Sequence, residues 1–332
     1  MTQNALPDAT TVSQVPAWRR ALIYGLLALF AGWCALAFRR DIAQIDLEPL
    51  KSGWTAVLAA GLLSLWNYLM RVVRWRLYLQ RLGHALPWRF VSLTFMSGFA
   101  FTLSPGKVGE VVRGRYYVPH GISLSSVTAA FFVERLLDLL VMIMLAAAVL
   151  AELRQYQYFL WVALLLVGGL MASIAFVPWQ AVSARLAQRP HSGLVKLFQK
   201  VAGMLASARQ FLSPGVLLMG LLLGTLAWSA EALGLKLVAD AVVPHLLSVP
   251  AAMGVYSIAI IVGALSFLPG GLGSTETVMA ALLVSHGYST SQAILLTLVC
   301  RLLTLWLAVL IGWLCVWLLR HDNDKAVQAR YV

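Results

Sequence analysis

The chain of 332 residues is 61% hydrophobic and 11% charged, with a formal net charge of +12. A soluble domain is about half apolar, so these figures exclude a water-soluble globular protein and indicate a membrane protein. The basic excess does not point to nucleic acid, because Lys and Arg sit mainly in loops beside apolar spans, where membrane topology accounts for them.

In chain order, a polar tail (1–20) leads into an apolar run at 21–38. It is read as a retained first span, because no small-residue cleavage site follows it. A helix crosses the hydrocarbon core with roughly 20 apolar residues. Further spans are expected at 54–73, 124–150, 157–177, 215–238 and 290–319. The apolar stretches 88–118 and 251–286 are each broken by Pro and Gly into pieces too short for full spans. Both are read as re-entrant hairpins or broken helices, whose freed backbone must be buried in protein or line a wet cavity. The loop 178–214 interleaves basic residues with Leu, Val and Phe, as an amphipathic surface helix or a plain linker would. A short charged tail, 320–332, ends the chain. Cys34, Cys300 and Cys315 lie in apolar segments without metal-ligand or disulfide spacing, so no metal or cofactor is expected.

The two broken stretches match each other. Pro105-Gly106-Lys107-Val108-Gly109 returns as Pro269-Gly270-Gly271-Leu272-Gly273. The first is followed by His120-Gly121-Ile122-Ser123 and then by Arg135, fifteen residues beyond His120. The second is followed by His286-Gly287-Tyr288-Ser289 and then by Arg301, fifteen residues beyond His286. Such ordered matches indicate an internal duplication, a common transporter plan in which the breaks mark the substrate site.

Charge sets the expected topology. The segment 71–89 carries Arg71, Arg74, Arg76, Arg81 and Arg89 without an acid, and 178–214 carries Arg185, Arg189, Lys196, Lys200 and Arg209 without one. Both belong in the cytoplasm by the positive-inside rule. The outcome is an all-α polytopic membrane protein of six spans and two hairpins. Its two units, 21–150 and 157–319, have opposite orientations, and both termini are cytoplasmic. The inversion holds whether the hairpins re-enter or cross fully.

An ionisable group deep in a membrane costs at least ~2.5–3.5 kcal/mol, so it needs a partner or a wet cavity. Arg135 and Arg301 each lie well inside an apolar helix and would be symmetry mates. Arginine suits bidentate binding of phosphate or carboxylate. The alternative is that each is tied up structurally, since Asp138 is one turn from Arg135. Glu134 and Asp138 could bind a cation, carry a proton or serve as counter-ions. Glu231 is deep and needs a partner from another helix, whereas Lys236 can reach outward. Helices starting after Gly109 and Gly273 would point N-terminal amides into the membrane, with Glu110 and Glu276 as capping acids or binding groups. Lys107 and Arg113 make the first hairpin basic and suit a phosphate-bearing group. Tryptophans near span ends, Trp75 and Trp88 among them, read as interface anchors. Ser123 and Ser289 read as helix caps.

The Pro-Gly-x-x-Gly break, Glu134-Arg135-Leu136-Leu137-Asp138, and Pro269 to Gly273 with Glu276 and Arg301 together resemble the membrane region of lysyl-phosphatidylglycerol synthase and its free-standing relatives. The likeness covers approximately 20–319. It departs at Lys107-Val108, where many relatives place a further Gly. It implies a bacterial inner-membrane protein that moves or handles a lipid: anionic, aminoacylated or polyprenyl-linked. The aminoacyl-transferase domain of the synthase has no counterpart here, so aminoacylation is not expected.

Three function classes remain. The first is a lipid flippase exposing a midplane site alternately between the two units. The second is a proton-coupled transporter of a small anionic solute. The third is a scaffold holding a lipid-synthesis enzyme partner. A membrane-embedded transferase using Asp41, Asp46 and Glu48 is disfavoured, because Arg39, Arg40 and Lys51 balance those acids.

Overall fold

In the computed structural model, residues 48–150, 157–188 and 192–328 are described. The expected tail 1–20, the first span at 21–38 and the loop 151–156 lie outside them. The described residues are helical throughout and contain no strand. After a short turn at Glu48–Ser52 come α1 (Trp54–Arg81), α2 (Trp88–Ser97), α3 (Leu124–Leu150), α4 (Gln157–Phe176) and α5 (Trp179–Ala187). They are followed by α6 (Gly193–Ala208), α7 (Pro214–Val242), α8 (Val249–Leu265), α9 (Ser274–Ser285), α10 (Thr290–Arg301) and α11 (Leu307–Gln328).

Among the described residues, three helical stretches are long and apolar enough to cross a membrane: α1, α7 and the continuous run Thr290–His321. The pair α4–α5, bent by 71°, adds a fourth if it counts as one broken span. Helix α3 has 27 residues, but Glu134, Arg135 and Asp138 interrupt its apolar run.

The spanning helices bury polar side chains and expose apolar ones. In α1, Ser64, Asn67, Arg71 and Arg74 are buried while Leu58, Leu62, Leu65 and Leu69 are exposed. The i, i+3, i+4 spacing of each set gives the helix two faces. An exposed apolar face is what lipid contact requires, and the buried polar face must find partners inside the protein. This corrects the expectation for Arg71 and Arg74, which are not loop charges. Helix α1 runs eight residues beyond the expected end of its span and carries both inward. Trp75, expected at an interface, is fully buried, and its Nε1 donates to the Tyr117 hydroxyl at 2.9 Å.

Helix α1 packs along α7, α2 packs on α11, and α8 packs on α3. Each broken segment therefore leans on a long helix from the other half of the sequence. One apolar core gathers Trp75, Phe95, Phe99 and Phe131 around the first break, and another gathers Trp228, Val255, Met279 and Leu296 around the second.

The two breaks differ in construction. The second is the expected pair of helices, α8 and α9, joined by Pro269–Gly271 with left-handed backbone at Gly270 (φ 61°), Gly271 (φ 68°) and Gly273 (φ 85°). The first continues past Pro105 as a run of tight 3-10 turns, Pro105–Tyr116, instead of an α-helix. This overturns the idea of a helix N-terminus following Gly109. The Gly109 amide is instead satisfied by Ser104 Oγ at 2.7 Å, and an added Cβ there would lie 2.8 Å from Phe101 Cβ. Runs of 3-10 structure this long are uncommon, and non-helical backbone at membrane depth is tolerated where it borders a cavity.

Candidate functional site

The two breaks touch each other, and beside them lies a cavity of about 450 Å³, part of it open. Helix α1 contributes Asn67, Tyr68 and Arg71 to its wall; the first break contributes Lys107 and Glu110. Trp228 and Glu231 come from α7 and Tyr256 from α8. Arg301 closes α10, and a π-helical turn at Leu302–Trp306 adds Thr304 and Leu305. That wide turn frees backbone carbonyls, and the Tyr68 hydroxyl donates to the Thr304 carbonyl at 2.8 Å.

Behind the wall lies a buried ion-pair network. Glu134 faces Arg113 at 2.8 Å, Arg135 at 3.0 Å, Arg74 at 3.4 Å and Arg71 at 3.5 Å. Asp138 accepts from Arg74 at 2.6 Å and from Trp228 Nε1 at 2.9 Å, and it pairs with Arg135 at 3.1 Å. Glu110 accepts from the Thr102 hydroxyl at 3.0 Å and stands 3.9 Å from Arg71. Four guanidinium groups thus face three carboxylates, which leaves one positive charge over. Glu134 and Asp138 act here as counter-ions. Arg113 is held by Glu134 through Nη2, and its guanidinium lies over the Trp75 ring at 3.8 Å, with Nε and Nη1 left without a hydrogen bond.

Lys107 adds a second surplus charge. It occupies the position matching Gly271 in the other break, and both are left-handed, at φ 56° and 68°. A non-glycine residue there is strained by about 1–2 kcal/mol. Lys107 nevertheless holds that conformation on the cavity wall, and its ammonium makes no ion pair or hydrogen bond among the described residues. Arg71, also on the wall, is held more loosely than its neighbours, with Glu134 at 3.5 Å and Glu110 at 3.9 Å as its carboxylates. Its Nε and Nη2 are buried without a hydrogen-bond partner, and Phe95, Phe99 and Trp228 surround it at 5.1–5.6 Å.

Arg301 is bound differently. Its Nε donates to Glu276 Oε1 at 2.6 Å and its Nη2 to the Gly270 carbonyl at 2.7 Å. Glu276 in turn accepts from the Gly273 amide at 2.7 Å, so one acid caps α9 and fixes Arg301 against the break. Glu231, buried to 3% exposure, accepts only from the Ser64 hydroxyl, at 2.9 Å, among the described residues. Lys236 is paired with Asp240, one turn further along α7. The His-Gly-x-Ser turns match in backbone: Gly121 and Gly287 are left-handed at φ 80° and 97°. Ser123 and Ser289 accept amide hydrogen bonds from Ser126 and Gln292 as helix caps.

Of the sequence-predicted residues, the structure brings Lys107, Glu231 and Arg301 to the cavity wall. It places Arg113, Glu134 and Asp138 in the network behind, with Arg135 partly exposed beside them. Sequence reasoning missed Arg71, Arg74 and Tyr256. The signal for the first two was present: Ser64, Asn67, Arg71 and Arg74 recur at helical spacing, which a stripe shares and a basic loop does not.

The model of one family, the lysylphosphatidylglycerol synthase TM region, matches residues 19–312. The chain belongs to that family. Every residue of the cavity wall lies within the matched region of the lysylphosphatidylglycerol synthase TM family, so the cavity is part of the shared domain. A similar protein is the UPF0104 membrane protein of Methanothermobacter thermautotrophicus. It is 30% identical over 288 residues, covering 78% of this chain and 82% of the relative.

Proposed function

We propose that this protein moves a lipid bearing an anionic headgroup between membrane leaflets, with the headgroup passing through the cavity between the breaks. One observation carries the reading: Lys107, which makes no ion pair among the described residues, shares a partly enclosed polar cavity with Arg71, whose Nε and Nη2 lack hydrogen bonds. A cation lacking a partner in such a place, as Lys107 is, is costly, and a phosphate or carboxylate would pair with it and fill the open donors of Arg71 at once. Family membership adds the lipid theme, since the family name refers to a phospholipid-modifying synthase. The reciprocal packing of α2 on α11 and of α8 on α3 supports two inverted units that rock about a shared site. In this reading the protein lies in the bacterial inner membrane with both termini cytoplasmic.

The test is native mass spectrometry of co-purified lipid, joined to a flipping assay with fluorescent phosphatidylglycerol in proteoliposomes. Wild type should retain an anionic lipid and flip the probe. Lys107→Ala and Arg71→Ala should lose most of both. Retention of bulk lipid only, with no flipping but with inorganic phosphate or another small anion bound, would move the site to a small-solute transporter.

A further inference from the structure

Glu231 stands apart from the other acids around the breaks. Glu110, Glu134, Asp138 and Glu276 each face an arginine, whereas Glu231 makes no ion pair among the described residues. It sits on α7 where two cavities meet: the one beside the breaks and a second, narrow and partly open, of about 190 Å³ including its open part. Ala60, Ser64, Leu235 and Val238 line the second cavity. It therefore extends toward the N-terminal end of α1 and the C-terminal end of α7, away from Arg71.

Each element packed around Glu231 has been considered for a countercharge. Helix α1 presents Ser64 and Tyr68 with Arg71 further along, the first break presents Lys107, and α8 presents Tyr256. Cys300 and Arg301 face it from α10, where Arg301 is committed to Glu276 and Gly270. Arg71, which already faces Glu134 and Glu110, and the unpaired Lys107 both line the same cavity but make no ion pair with the Glu231 carboxylate. A carboxylate this deep must be met by a proton or by an external cation. An anionic headgroup at Lys107 and Arg71 would place a further negative charge in the same space, which favours the proton.

We propose that Glu231 is the proton-binding site of this transporter, taking up a proton from the second cavity when an anionic headgroup occupies the first. The carboxylate gains one proton and no other bond changes. Ser64 is a positioning residue that holds one carboxyl oxygen while the other faces the cavity. The inference rests on the transport reading above and adds its energy source, a proton moved together with the anion. The two sites are linked, so each ligand strengthens the binding of the other.

The test is infrared difference spectroscopy of the purified chain in phosphatidylglycerol nanodiscs, stepped in pH in H₂O and D₂O. A carboxylic-acid carbonyl band, shifted in D₂O, should be present in wild type and absent in Glu231→Gln. Ser64→Ala should keep the band but move its frequency, because one hydrogen bond is gone. A spectrum that Glu231→Gln leaves unchanged overturns the proposal. Failure of flipping with the band intact removes the lipid reading and leaves the proton site. Flipping with no such band does the reverse.

Discussion

Lys107 holds a left-handed conformation that glycine holds at the matching place in the second break. Replacing it with glycine would release about 1 kcal/mol of backbone strain and add a comparable ~0.5–1 kcal/mol of chain entropy to the unfolded state. Lys107→Gly should therefore leave the melting temperature in detergent nearly unchanged while sharply lowering retention of anionic lipid. A variant that keeps its lipid would show that the ammonium plays no part in binding. Glu134 is the opposite case, because four arginines depend on it. Glu134→Gln leaves uncompensated buried cations and should destabilise by about 3–5 kcal/mol, read as a large fall in melting temperature. The acid-arginine-acid motif was legible in the sequence, and its role as counter-ion was among the readings left open there. The arginines supplied by α1 were not assigned to it, because their positions near the end of a span looked like cytoplasmic loop charge.

At the scale of the element, the last helix approaches the first break too closely for any side chain at Gly312. A Cβ there would overlap the Phe99 and Ala100 backbone, which cannot swing aside. Gly312→Leu should cost about 1–3 kcal/mol through overpacking and displace the first break, measured as a lower melting temperature together with slower flipping. Helix α6 makes a different prediction. It exposes Leu194, Leu197, Phe198 and Val201 on one face, with Lys196 and Lys200 alongside. Such a face suits a membrane surface carrying anionic lipid. Phe198→Trp should show blue-shifted fluorescence in anionic nanodiscs relative to detergent. The sequence left this segment open between an amphipathic helix and a plain linker. The 3-10 course of Pro105–Tyr116 was not legible there, because close contacts at Gly109 with Phe101 and Ser104 determine it.

For the whole molecule, the proposal of inverted units puts the two His-Gly-x-Ser turns on opposite sides of the membrane. In a cysteine-free background, Ser123→Cys should react with an impermeant maleimide from the cytoplasmic side and Ser289→Cys from the outer side. Labelling of both from one side would end the inverted arrangement while leaving the cavity in place. The pairing of α1 with α7 and the exchange of broken segments between halves bring residues more than 150 positions apart, such as Ser64 and Glu231, within hydrogen-bond reach.

The sequence by itself determined the membrane class, the two matching breaks and the family, because composition, glycine placement and local motifs are written along the chain. Only the tertiary structure decided which charges neutralise one another and which stay available. A buried charge is defined by its neighbours across helices, and those neighbours follow from packing. Thus Arg71, Arg113, Arg135 and Arg301 proved to face acids, while among the described residues Lys107 was left without an anion and Glu231 without a cation.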